Sequence, residues 1–205
     1  MFNSGLVLSE IDGTEFLYED NKDGKEIPKV FSYMKNLPDV LDQGSDPICV
    51  PCSISSYLEY KLSITSRAIK SSHFALFDIF NSRTTSGEGM TCKEAFKHIL
   101  REGAKYKNGI IKISKYFMIT NIFMLRHAIY CNGPCILVLP VYDSNEEKFW
   151  KETAPFQGYH AVSVVGYDQD GFIIRNSWGK KYGYEGYSYI SNEDIQRAKE
   201  IWTLI

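Results

Sequence analysis

GYHAVSVVGYDQDGFIIRNSWGKKYGYEGY, residues 158–187, is the stretch on which the reading of this chain turns. His160 opens an apolar run, and Asn176 closes a second one sixteen residues later. The intervening VSVVGYDQDGFIIR reads as strand, tight turn, strand, and such a hairpin brings its two ends together. An asparagine side-chain oxygen beside an imidazole accepts from one ring nitrogen and fixes the ring, so that the other nitrogen faces a third group.

Working toward the N-terminus, the candidate third group is Cys49. It stands where a helix is expected to begin, and Gln43 lies six residues before it on the Gly-containing loop DQGSDP, residues 42–47. The partial positive charge of a helix N-terminus favours thiolate over thiol, and the thiolate is the attacking form. Pro51 suits the first turn, where its missing N–H breaks no helical bond. Ile54, Leu58 and Leu62 recur every four residues with Tyr57 beside them, which predicts one buried stripe.

Thr91 is placed to cap a second helix through about Arg101, with Ala95, Phe96, Ile99 and Leu100 inward and Gly103 as its stop. A third helix is expected over Asn121 to Tyr130, closed by Asn132-Gly133-Pro134. Strands are expected at 135–142, 160–168, 171–178 and 186–191. Helices in the first half and strands in the second argue α+β rather than an alternating parallel sheet. EFLYE and KEIPKV around Asp23-Gly24 read as an N-terminal hairpin.

The bulk numbers narrow the function. A chain of 205 residues suffices for one sizeable domain or two small lobes sharing a core. Twenty-three basic against 25 acidic residues give a net charge of -2, no footprint for nucleic acid or an anionic membrane. No apolar run reaches the length of a membrane span, and the N-terminus has neither the basic nor the long apolar region of a secretory signal. Five cysteines cannot all pair within the chain. The reading is of reduced thiols in a cytosol, a host-cell interior or a virion.

The residues quoted resemble the papain-like cysteine peptidases. Residues 158–187 follow that family's His-Ala-Val, Gly-Tyr, Asn-Ser-Trp-Gly and Gly-Tyr pattern, and Gln43-Gly44 to Cys49 follows its Gln-Gly to Cys spacing. LPDVLDQGSDPICVPCS looks more like the compact prokaryotic and viral members. Gly89-Met90-Thr91 and Gly133-Pro134-Cys135 have counterparts there too.

The resemblance implies a two-lobe α+β fold. A helical lobe would cover 38–117 and an antiparallel, barrel-like β lobe 118–205, with a cleft between them and residues 1–37 packed on the β lobe. It implies a peptidase acting on polypeptides without cofactor, metal or nucleic acid. Cys49 would be the nucleophile and His160 its base, resting as a thiolate–imidazolium pair. Asn176 would orient the ring, Trp178 would cover that bond, and Gln43 would be an oxyanion donor. Met90 and Val138 would line the main side-chain pocket, with Gly89 and Gly158 beside it, favouring an apolar residue two positions before the cut.

Departures from the pattern keep other readings open. Val50 stands where the family has an aromatic, and Pro47-Ile48 replace Gly-Ser. Cys52 replaces an aromatic one turn from Cys49. Only 42 residues precede Gln43, too few for the usual pro-domain, so residues 1–30 are read as an edge hairpin or a short regulatory arm near the cleft. The rivals are a catalytically silent binding module on the same fold, an amidase, isopeptidase or acyl transferase using the same thiol, and a zinc site built from Cys49, Cys52, Cys131 and Cys135.

Overall fold

The structure, a computed structural model, describes residues 5–13, 15–19, 26–65, 74–87 and 89–205. A seven-stranded antiparallel sheet forms one side of it. In chain order its strands are β1 (Phe31–Ser32), β4 (Tyr116–Met118), β5 (Cys135–Val141), β6 (Gly158–Tyr167), β7 (Gly171–Arg175), β8 (Tyr187–Ser191) and β9 (Glu200–Leu204). They lie in the order β4-β9-β5-β6-β7-β8, with β1 pairing the far end of β6. β2 (Ala104–Tyr106) and β3 (Gly109–Ile111) form a separate hairpin. The helices are α1 (Cys49–Thr65), α2 (Leu76–Asn81), α3 (Cys92–Arg101) and α4 (Ile122–Asn132). Among the described residues no helix is long and apolar enough to cross a membrane.

Local chemistry sets the helix ends. Thr91 Oγ1 accepts from Glu94 N at 3.1 Å while the Glu94 carboxylate accepts from Thr91 N at 3.0 Å, a reciprocal cap at the start of α3. Asn121 Oδ1 accepts from Met124 N at 2.9 Å to start α4. Gly133 ends α4 at φ +118°, with the Tyr60 ring where a Cβ would stand, so both conformation and space demand glycine there.

β5 is buried along its whole length, as a central strand covered on both faces must be. One core lies between the sheet and α1, α2 and α3, and includes Ile54, Leu58, Phe96, Ile136, Val138 and Trp202. The second packs α4 through Leu125, Ala128 and Ile129, with Phe149 and Trp150, on the other face. α1 is buried on every face from Cys49 to Glu59 rather than along one stripe, because sheet and helices enclose it.

The Asp23-Gly24 turn lies outside the described residues. The flanking pieces that are described pair elsewhere: Leu17 bridges Met118, and Phe31–Ser32 pair with Tyr167–Gly166.

Candidate active site

Three elements converge on one end of the sheet. Cys49 is the first residue of α1. His160 sits near the start of β6, opposite Leu139 of β5. Asn176 follows directly after β7, the hairpin partner of β6. The expected hairpin thus forms and joins its ends: His160 Nε2 and Asn176 Oδ1 are 2.8 Å apart. Asn176 Oδ1 also accepts from Ser177 N at 2.7 Å, which holds the amide in that orientation. The Trp178 indole stacks on the imidazole, with centroids 4.5 Å apart and planes 22° from parallel. Phe149 meets the imidazole edge-on at 5.6 Å and also packs on Trp178, with ring centroids 5.0 Å apart, so the three rings form one cluster.

Buried polar bonds fix the cysteine helix against the histidine strand. Ser163 Oγ, three residues along β6 from His160, donates to Ser53 O at 2.6 Å and lies 2.7 Å from Ser56 Oγ. Arg175 Nη1 binds Ser56 Oγ at 2.7 Å and Glu59 Oε2 at 3.0 Å, while its Nη2 donates to the carbonyls of Pro38 and Asp39. α1 is therefore tied to β6 and β7 at three successive turns, and Cys49 cannot shift far along the sheet.

Gln43 is buried and strapped to the same loop. Its N–H donates to Ser177 O at 2.8 Å, its Oε1 accepts from Ser177 Oγ at 2.6 Å, and its Nε2 donates to Asp46 O at 2.8 Å. The Ser177 hydroxyl thus decides which end of the amide faces Asp46, and the second Nε2 hydrogen remains for another acceptor.

Residues 5–10 run over this end of the molecule. Met90 N donates to Gly5 O at 3.1 Å and Val7 N to Met90 O at 3.2 Å, while Leu6 also bridges Tyr159, the neighbour of His160. Leu6 is 5% exposed and joins the apolar cluster of Cys49, Met90, Val138 and Ala161. The Gly5 backbone, at φ +52°, lies so close to Pro47 that a Cβ would stand 2.5 Å from the Pro47 carbonyl carbon. Farther along, Ser9 N donates to Glu200 Oε1 at 2.5 Å, Lys93 N donates to Ser9 Oγ at 3.3 Å, and Lys93 Nζ donates to Glu10 O at 2.9 Å and pairs with Glu15 at 2.5 Å.

Under this cover Cys49 and His160 are each 0% exposed. Burial pushes the Cys49 thiol up to about 12, against backbone hydrogen bonds at Ala161, Val50 and Cys49 itself that pull it down. Burial also brings His160 down to about 4, with the Asn176 bond opposing. Desolvation thus moves both groups toward their neutral forms.

Two of the four expected pocket residues, Met90 and Gly89, lie against the arm. Met90 bonds it through its backbone, Val138 shares its apolar cluster, Gly89 lies beneath the Val7 side chain, and Gly158 pairs with Val141 at the start of β6. Sequence reasoning did not single out Ser177, Phe149, Arg175 or Glu200. Ser177 stands inside the quoted Asn-Ser-Trp-Gly run; the others carry no local signal. All five cysteines are free, and among the described residues no group of three or more His, Cys, Asp or Glu is placed to hold a metal ion.

A helix with a cysteine at its N-terminus is set against an antiparallel sheet that carries a histidine–asparagine pair, an arrangement in keeping with the papain-like fold. The comparisons agree. The family model described as papain family cysteine protease matches residues 104–201. In fold the chain is similar to xylellain, a cysteine protease from Xylella fastidiosa, with a TM-score of 0.83 and 20% identity over 98% of this chain and 95% of that one. It is 28% identical over 92 residues to a gut-specific cysteine proteinase of Caenorhabditis elegans, covering 41% of this chain and 28% of the relative. An uncharacterized peptidase C1-like protein of Acanthamoeba polyphaga mimivirus is 37% identical over 54 residues, 23% of this chain and 17% of that one. The chain thus spans less than a third of the curated relatives it matches. It is papain-like in fold along nearly its whole length and in sequence across its second half.

Proposed function

We propose that this chain is a cysteine endopeptidase that hydrolyses peptide bonds through Cys49, His160 and Asn176. The observation that carries the reading is the His160–Asn176 bond of 2.8 Å beneath Trp178, on a strand bolted to the helix that Cys49 begins. Asn176 occupies Nε2, so Nδ1 is the nitrogen that takes the thiol proton. The Cys49 sulfur then attacks the substrate carbonyl, and the oxygen becomes an oxyanion held by Gln43 Nε2–H and the Cys49 N–H. Collapse breaks the C–N bond, and the imidazolium returns its proton to the leaving amine. Water, deprotonated by the same imidazole, hydrolyses the thioester and restores the thiol.

Residues 5–10 are the resting cover of the cleft, and the walls are the helical half (38–117) and the sheet half (118–205). With the arm in place both reacting groups are dry and neutral; its departure readmits water and lets the helix N-terminus and His160 stabilise the thiolate.

The covered thiol equally suits a silent binding module, and one experiment separates the two. The full chain is incubated with a peptidyl epoxide and mapped by mass spectrometry, alongside a peptide-substrate assay. Selective modification of Cys49, with matching loss of peptide cleavage, is expected. Equal labelling of all five cysteines, or none at Cys49 even in a chain carrying Leu6→Ala to loosen the arm, rules the peptidase reading out.

A further inference from the structure

Cys52 has no part in the chemistry just described, yet it stands where it can capture the nucleophile. It lies three residues after Cys49 in the first turn of α1, in the run Cys49-Val50-Pro51-Cys52. Helical geometry puts Cα atoms at that spacing about 5 Å apart, inside the roughly 4.4–6.8 Å that a disulfide spans. Both cysteines meet the same residue of β6. Ala161 bonds Cys49 through its backbone and, with Cys52, Ser163 and Arg175, lines a small buried hollow. That hollow leaves no space for a water molecule, so the neighbours of Cys52 there are protein groups.

Side chains three apart on a helix have Cβ atoms about 5–6 Å apart, and a disulfide needs roughly 3.5–4.5 Å, so the turn must tighten by about 1–2 Å. The start of a helix permits this. Cys52 N bonds Ile48 O at 3.0 Å, whereas Pro51 has no N–H and the N–H groups of Cys49 and Val50 lie before the first helical bond. A disulfide closed by such a distortion is strained, and strained disulfides are readily reduced again.

The order of events follows from burial. Cys49 faces the cleft once the arm leaves, while Cys52 is 4% exposed and sits further along the helix. Hydrogen peroxide entering the cleft therefore meets Cys49 first. The Cys49 proton passes to His160, the sulfur takes one peroxide oxygen as the O–O bond breaks, and the departing hydroxide collects the proton from His160 and leaves as water. The Cys52 sulfur then attacks the sulfenic sulfur of Cys49. The S–O bond breaks, and the hydroxyl leaves as a second water with the Cys52 proton. Two thiols are oxidised to one disulfide, and one peroxide is reduced to two waters.

We propose that Cys49 and Cys52 form a peroxide-responsive disulfide site, in which Cys52 captures the oxidised nucleophile and holds it in an inactive form that a dithiol restores. This rests on the reading of Cys49 as the nucleophile of the cleft. Without Cys52 the same oxidation runs on to sulfinic acid, which dithiols do not reverse.

The test treats the full chain, with and without Leu6→Ala to loosen the arm, with excess hydrogen peroxide at neutral pH. Remaining thiols are alkylated, and the chain is digested without reductant and mapped by mass spectrometry. The peptide holding Cys49 and Cys52 is expected to be two hydrogen atoms lighter, to refuse the alkylating agent, and to regain both thiols in dithiothreitol. With Cys52→Ala added, Cys49 is expected to gain two oxygen atoms and to lose most of its recovery in dithiothreitol. Oxygen uptake at Cys49 with Cys52 left as a thiol, a bond from Cys49 to another cysteine, an unreacted Cys49 in the Leu6→Ala chain, or a recovery unchanged by Cys52→Ala overturns the proposal. Should Cys52→Ala fail to fold, the mass of the peptide with both cysteines decides alone. Epoxide labelling of Cys49 without this disulfide removes the role of Cys52 and leaves the peptidase reading intact. A disulfide in a chain that cleaves no peptide does the reverse.

Discussion

Replacing Leu6 by alanine isolates the arm from the rest of the fold. Leu6 is 5% exposed, pairs with Met90 and Tyr159 and belongs to the apolar cluster that also holds Cys49, Val138 and Ala161, so truncation empties a core-like site. Buried Leu→Ala changes cost about 2–5 kcal/mol, and a segment near a chain end relaxes enough to place this one near the lower figure. If the lost contacts belong only to the covered form, about 2 kcal/mol favours the open form roughly 30-fold. Where reclosing is faster than alkylation, the labelling rate follows the open population. The assay is the rate of Cys49 modification by a small alkylating agent at neutral pH, read peptide by peptide. Cys49 is expected to react about 30-fold faster in Leu6→Ala. Cys52 and Cys92, buried in the same core, and Cys135, buried in the other, are expected to keep their rates. An unchanged Cys49 rate refutes the covering role, and equal acceleration of all four shows general destabilisation instead.

Gln43→Ala removes an oxyanion donor and is expected to lower kcat by about 10²–10³ in a peptide-cleavage assay, with the Cys49 alkylation rate little changed because alkylation forms no oxyanion. Arg175→Met strands Glu59, Ser56 and two carbonyls in the interior and is expected to cost about 3–5 kcal/mol in urea unfolding, much of it recovered when Glu59→Leu is added. pH dependence follows from the two buried reacting groups. His160 is lowered to about 4, so its contribution to stability is present above the ordinary histidine value and is lost as pH falls toward 4. Cys49 is raised to about 12, so its contribution is present below the ordinary thiol value and is lost as pH rises toward 12. Urea midpoints between pH 4 and 11 are expected to peak near neutrality, and His160→Gln is expected to flatten the acid limb.

Much of the site was legible because its signals are local. The hairpin from His160 to Asn176 announces itself by two apolar runs about a turn, and the start of α1 by a loop that ends in Cys49 with Pro51 following. The cap of α3 is written in Thr91. Features that depend on distant partners were not legible. β9, with Glu200 and Trp202, is a five-residue strand whose place in the sheet comes from β5 and β4 on either side. The arm at residues 5–10 carries an unremarkable apolar run, and residues far along the chain, Pro47, Met90, Lys93, Tyr159 and Glu200, give it a position. Arg175 and Glu59 lie 116 residues apart and meet only because β7 crosses α1. The ionisation state of Cys49 also depends on what covers it, which its neighbours in sequence do not reveal.

The most direct test of the account is the pH profile of Cys49 alkylation in the Leu6→Ala chain, compared with the same chain carrying His160→Ala. A sulfur paired with the anchored imidazole is predicted to react rapidly at pH 6 and to lose that reactivity when His160 is removed. A Cys49 that reacts only above pH 8, at the same rate with or without His160, contradicts it.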